Sequence, residues 1–148
     1  MSRCDFFVPG KPATAGSKRA FPHRTTGRII VGGRLPRAAR SGARPSSTTL
    51  GRRAGFPQPG AIALSVVFIM PRPLSHRRKD GTTLPSAPRH HITKPDTTKM
   101  LRAIEDALTG IAWIDDAQVI VQTAAKRYAR LGEEPGAKVT IEPYTEEP

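Results

Sequence analysis

Cysteine is almost absent from this 148-residue chain. Cys4 stands alone, so no intrachain disulfide can staple the fold. No apolar run approaches the ~20 residues that a bilayer span requires, and no charged start followed by an apolar stretch marks a signal peptide. A soluble cytoplasmic protein without a membrane partner is the expectation. Aromatic residues are scarce at 5% and lie mostly in apolar runs, which leaves little for stacking on bases and disfavours a single-stranded RNA binder. Acids are scarce too: 12 Asp and Glu stand against 24 Lys and Arg, for a formal net charge of +12. Charge of that size speaks about partners rather than fold, and nucleic acid is the leading partner. A basic amphipathic membrane helix is disfavoured, because the basic residues sit among Pro and Gly and the clearest helical pattern has no Lys/Arg-rich face.

The length suits one domain, residues 1–148, with one modest core. Arg3 to Val8 predicts a first strand stopped by Pro9-Gly10, followed by a loop to Gly16. Arg28 to Val31 predicts a short second strand pairing back on the first. Gly32 to Gly60 is rich in Arg, Pro, Gly and Ser, without periodicity in its few apolar residues. It has too little to bury to offset the entropy of ordering, and reads as a mobile low-complexity insert. Its six arginines (Arg34, Arg37, Arg40, Arg44, Arg52, Arg53) and lack of acid make it a nucleic-acid arm or a solvated insert.

Ile62 to Met70 is β-branched and bounded by Gly60 and Pro71, the pattern of a buried central strand. Arg72 to Arg89 is a proline-punctuated basic loop, and His90 to Thr93 reads as extended. Asp96, Thr97 and Thr98 are all capable N-caps. They precede an apolar stripe of Met100, Leu101, Ile104, Ala107 and Leu108, a helix from Thr97 to Leu108 ended by Gly110. Val119 to Tyr128 predicts a strand, and Lys138 to Glu142 a last one with Val139 and Ile141 inward. The fold class is α+β: a small mixed sheet of about four or five strands, one main helix packed on it, and long basic loops.

Carboxylates at both ends of one short helix, in a strongly basic chain, are the chemistry that stands out. A bare carboxylate repels phosphate, whereas one holding a divalent cation reverses the local sign. Spacing alone leaves two readings open for each acid. Asp96 is a helix cap or a ligand, and Asp115-Asp116 is a polar turn or a ligand. A 12-residue helix spans about 18 Å, so Asp96 and Asp116 meet only if the chain doubles back. An antiparallel strand after Asp116 would instead carry later residues past Asp96. Trp113 is most simply a packing residue, and adjacent His90 and His91 cannot both point one way from a strand.

The segment KPDTTKMLRAIEDALTGIAWIDDAQVIVQTAAKRY, Lys94 to Tyr128, resembles the core signature of the RusA-type Holliday junction resolvases. Phe7-Val8-Pro9-Gly10-Lys11-Pro12, Gly16-Ser17-Lys18-Arg19 and Val67-Phe68 to Pro71-Arg72-Pro73 fit features outside that core. The resemblance implies a small homodimeric endonuclease of phage or prophage type, dependent on Mg²⁺ and acting on branched double-stranded DNA. It places the first metal-ligating acid at Asp96, the last at Asp116 and the catalytic basic residue at Arg102. The middle acid falls on Thr98, which has no carboxylate to give; compensation would fall to Asp115 or Asp106. Lys99 and Lys126 become candidates for phosphate contact, as do Lys18, Arg19, Arg72, Arg77, Arg78 and Lys79 for the DNA backbone. A branched-DNA-binding protein with impaired catalysis, through Thr98, is the alternative. Relatives of this type place an amphipathic helix where Gly32 to Gly60 shows no such pattern.

Overall fold

A computed structural model describes residues 3–14 and 57–146 in full, and the backbone of 21–22 and 29–30. The strands are β1 (Cys4–Pro9), β2 (Phe21–Pro22), β3 (Ile29–Ile30), β4 (Ile62–Met70), β5 (Val119–Tyr128) and β6 (Gly136–Pro143), with one α-helix, α1 (Thr97–Leu108). Four of the strands form a sheet in the order β1-β6-β4-β5. β6 runs antiparallel to both neighbours, whereas β4 and β5 are parallel. This is the mixed sheet with one main helix that the sequence predicts. Parallel pairing cannot be closed by a tight turn and needs a crossover, and α1 lies in that crossover.

Strand periodicity explains the layers. Ile62, Leu64, Val66, Phe68 and Met70 alternate along β4 and are buried on one face. Val139 and Ile141 of β6 and Cys4 of β1 join them, with Met100, Leu101 and Leu108 of α1 on top. The apolar stripe of α1 therefore covers one sheet face, as its 3.6-residue period requires. Trp113 is fully buried and closes the core below the helix. Gly110, at φ 78°, turns the chain out of α1, and its N–H donates to the Trp113 carbonyl at 2.7 Å.

The structure departs from the sequence expectation at two places. Ile29–Ile30 pairs with Phe21–Pro22 in a separate two-stranded ribbon and not with β1; β1 pairs along its whole length with β6, on one side. Residues 90–93 join no strand and run as irregular loop. Pro88 and Pro95 flank that segment and have no N–H to give to a ladder. Of the insert expected from Gly32 to Gly60, residues 32–56 lie outside the described residues, while Gln58 is buried and bridges Trp113.

Candidate nuclease site

Both ends of α1 are built by β5, which runs antiparallel to it. At the helix N-terminus the Lys126 ammonium donates to the carbonyls of Thr93 at 2.8 Å and Pro95 at 2.9 Å. These charge-assisted bonds fix the backbone immediately before Asp96. They occupy two of the three protons of Lys126. Asp96 takes the N-cap position with extended backbone (φ −70°, ψ 139°), yet its side chain makes no capping hydrogen bond. Its exposed carboxylate lies 3.5 Å from the Lys99 ammonium. The local sequence suits a cap, but the carboxylate is left to face outward.

Asp116 stands at the opposite end. Its Oδ1 accepts from the Trp113 indole N–H at 3.1 Å and lies in close contact with the Thr109 hydroxyl. Thr109 is the C-cap of α1. The buried indole thus orients a carboxylate that is itself exposed. Asp115 is engaged locally, accepting from the Ala117 N–H at 2.8 Å as the N-cap of a 3₁₀ turn, Asp116–Gln118, in a complete capping box. Gln118 closes the box, accepting from the N–H groups of Ile114 and Asp115 and donating to the carbonyls of Gln58 and Gly60. One side chain thereby clamps the acidic turn to the entry of β4.

Glu105 belongs to this end as well. Its carboxyl titrates above the usual range, first because it is partly buried and then because Asp116 and Asp106 are negative nearby; Arg102 and a bond from Gln122 pull the other way. α1 carries no acid in its first turn and no base in its last. Glu105, Asp106, Asp115 and Asp116 instead gather at its C-terminal end, against the helix dipole, where stability alone would favour cations. Thr98, Lys99, Arg102 and Asp106 form the exposed stripe between the two ends.

The basic residues divide. Arg72 stacks over the Tyr128 ring with its guanidinium carbon 4.2 Å from the centroid, and donates to the Pro88 carbonyl at 2.9 Å. His76 and His91 pack against the same ring. The His91 pKa is pushed down by burial and by the positive charges of Lys126 and Lys11. Arg78 and Lys79 are exposed on a tight loop braced by Asp80, which accepts from the Thr82 N–H at 2.9 Å and hydroxyl at 2.7 Å. Arg77 is half-buried at its base and bridges Thr83. Lys18 and Arg19 lie outside the described residues.

Sequence reasoning passed over Glu105, the strap made by Lys126 and the clamp made by Gln118. The capping-box spacing of Asp115 and Gln118 signalled the last. Glu105 gave no signal, because it looks like any acid beside the apolar stripe. Among the described residues, no three of His, Cys, Asp and Glu converge where they could hold a metal ion, and no helix is long and apolar enough to cross a membrane. No curated protein matches the chain. The chain does match the family Endodeoxyribonuclease RusA, over residues 12–142. It belongs to that family, whose activity is that of an endodeoxyribonuclease resolving Holliday junctions.

Proposed function

We propose that this protein is a Mg²⁺-dependent endodeoxyribonuclease of phage or prophage type that nicks four-way DNA junctions in recombination and repair, in the cytoplasm and as a homodimer. The observation that carries the proposal is the state of Asp96: an N-cap aspartate whose carboxylate caps nothing and faces outward, beside a basic loop system. Asp116 is the second ligand, aimed by the Trp113 indole. Within one chain these two do not fit a single ion, because α1 sets them about 18 Å apart along its axis. A two-fold pair of protomers suits the reading, with Asp96 from one and Asp116 from the other. Paired sites related by that axis also suit symmetric nicks on a junction of like symmetry.

A divalent cation held there would activate water and offset charge on the scissile phosphate. Arg102 is exposed on the stripe between the two acids, where a guanidinium clamps phosphate bidentately; it stays charged and transfers no proton. Lys99, whose ammonium lies 3.5 Å from the Asp96 carboxylate, offers a second cation to the phosphate. Arg78 and Lys79 track the backbone without reading sequence. Asp115 keeps one oxygen free of the capping bond for an outer position.

Thr98 supports a second reading, in which the protein binds junctions and cleaves weakly or not at all, since one negative ligand of the family pattern is missing. One experiment separates the two. Purified protein is incubated with a labelled four-way junction and a matched linear duplex, with and without Mg²⁺, beside Asp116→Asn. Metal-dependent symmetric nicks in the junction alone, lost in the variant, support the nuclease; salt-sensitive binding without cleavage supports the binding protein.

A further inference from the structure

We propose that Leu74 and Ile92 are two rigid apolar tips that enter between bases at the branch point of a DNA junction and set a preference for branched over linear DNA. The proposal rests on the reading of this chain as a junction-binding nuclease, and gives that reading a means of selection that basic residues lack. Phosphate contacts position a protein on DNA, and a linear duplex offers them as readily as a branched one. Among the described residues, Leu74 and Ile92 are the most exposed large apolar side chains, at 86% and 87%. Single exposed apolar residues are ordinary, but these two share one mounting. Arg72, His76 and His91 all pack on the ring of Tyr128, the last residue of β5, with the imidazole centroids 5.7 Å and 4.8 Å from it. Leu74 lies between Arg72 and His76 in the chain, and Ile92 directly follows His91.

The backbone is pinned at both tips. Leu74 opens a 3₁₀ turn after Pro73, in which the His76 N–H donates to the Pro73 carbonyl at 3.0 Å and the Arg77 N–H to the Leu74 carbonyl at 2.9 Å. Ile92 is held between His91, on the Tyr128 ring, and Thr93, whose carbonyl accepts from Lys126 at 2.8 Å. Two anchored segments thus each hold a branched aliphatic side chain in water, forgoing its burial with no gain to the fold.

The surroundings select the occupant. Arg78 and Lys79 stand exposed a little beyond Leu74, and Lys94 a little beyond Ile92. Cations of that kind hold phosphate, and a neutral aliphatic tip set among them has only the bases of the same nucleic acid to meet. Aliphatic side chains act on bases by wedging into a step and partly unstacking it. Stacking on an aromatic is the other mode, yet no Phe, Tyr or Trp is among the exposed large apolar residues described. Unstacking costs least where pairing and stacking are already broken. A branch point offers that and a linear duplex does not. Ile92 also lies four residues before Asp96, so the opened step is brought beside the acid read as a metal ligand.

The test reads unstacking apart from cleavage. A four-way junction carries 2-aminopurine, which fluoresces when unstacked, at its branch point; a linear duplex carries it mid-strand. Both are titrated with protein in metal-free buffer. Saturating parent should raise the fluorescence of the junction roughly threefold and leave that of the duplex nearly unchanged. The double variant Leu74→Ala/Ile92→Ala, with the parent's far-UV circular dichroism, should bind the junction without that rise, and its preference for junction over duplex should fall roughly tenfold. Arg78→Ala should weaken binding to both DNAs alike and keep the rise at saturation. A double variant that keeps the rise overturns the proposal. So does a double variant of lower mass than the parent by sedimentation equilibrium without DNA, which would make the tips a protein contact. A parent that binds the junction with no rise sinks the proposal alone, whereas a parent that does not bind the junction sinks the functional reading and the proposal together.

Discussion

Asp96 and Asp116 stand at opposite ends of the same helix. Asp96 is the N-cap of α1, and Asp116 is held against its C-cap, Thr109. The helix that links them along the chain is what separates them in space, and β5 runs back beneath it. The acids at the C-terminal end of α1 oppose its dipole, so they are retained at some expense of stability.

Thr98 is exposed in the first turn of α1, two residues after Asp96. Thr98→Asp places a carboxylate where the helix dipole favours one, by about 0.3–1 kcal/mol, and adds a metal ligand beside Asp96. We expect a slightly higher melting temperature and Mg²⁺-dependent cleavage faster on the order of tenfold. An unchanged rate with an unchanged Mg²⁺ requirement would show the middle acid to be dispensable.

Lys126 holds the Thr93 and Pro95 carbonyls together. Lys126→Met keeps the apolar stem and removes both bonds, which should lower stability by about 1–2 kcal/mol. Cleavage should fall by more than the folded fraction accounts for, because the backbone before Asp96 loosens. Urea unfolding together with cleavage rates at saturating Mg²⁺ checks both; equal stability would contradict the strap.

Glu133 accepts both arms of the Arg127 guanidinium at 2.6 Å, along with the Arg130 N–H. Those bonds hold its carboxyl down to about 2 from an ordinary 4.5. The folded pKa is below the unfolded one, so the pair contributes its full stability above about 4.5 and loses it as pH falls towards about 2. Glu133→Gln should be less stable by about 1 kcal/mol at neutral pH. Thermal melts from pH 7 to pH 2.5 should show the difference from the parent shrinking through the acid range; a constant difference would count against it.

Glu105 has the opposite sign. Its folded pKa is raised, by burial and by Asp116 and Asp106, so its ionised form opposes folding above that pKa. Glu105→Gln keeps an oxygen to accept from Gln122 and sheds the charge. It should melt at the same temperature as the parent or higher at pH 7, with any gain gone below pH 4.5, where both states bind the proton. A clear loss of stability at pH 7 would contradict this account.

Much of this fold was legible because period and punctuation agreed. Ile62 to Met70, Thr97 to Leu108 and Val119 to Tyr128 have the predicted bounds, each being a run of one periodicity closed by Pro, Gly or an acidic turn. The pairing of Ile29–Ile30 was not legible, since two β-branched residues carry no information about which edge they will meet. Asp96 and Asp116 stood out as a motif, but their separation followed only from a helix length, and the strap by Lys126 joins residues 31 apart in sequence. Contacts of that kind leave no local pattern to read.

Complementation between two inactive variants tests the central claim most directly. Asp96→Asn and Asp116→Asn are purified separately, the latter keeping an oxygen to accept from Trp113. They are then mixed under conditions that exchange protomers, and assayed on a four-way junction with Mg²⁺. Each variant alone should be inactive. Half of the mixed dimers should be heterodimers, each with one site built from two unaltered aspartates, restoring about a quarter of parental sites. A mixture as silent as its components, although heterodimers form, would show that Asp96 and Asp116 do not meet across the dimer.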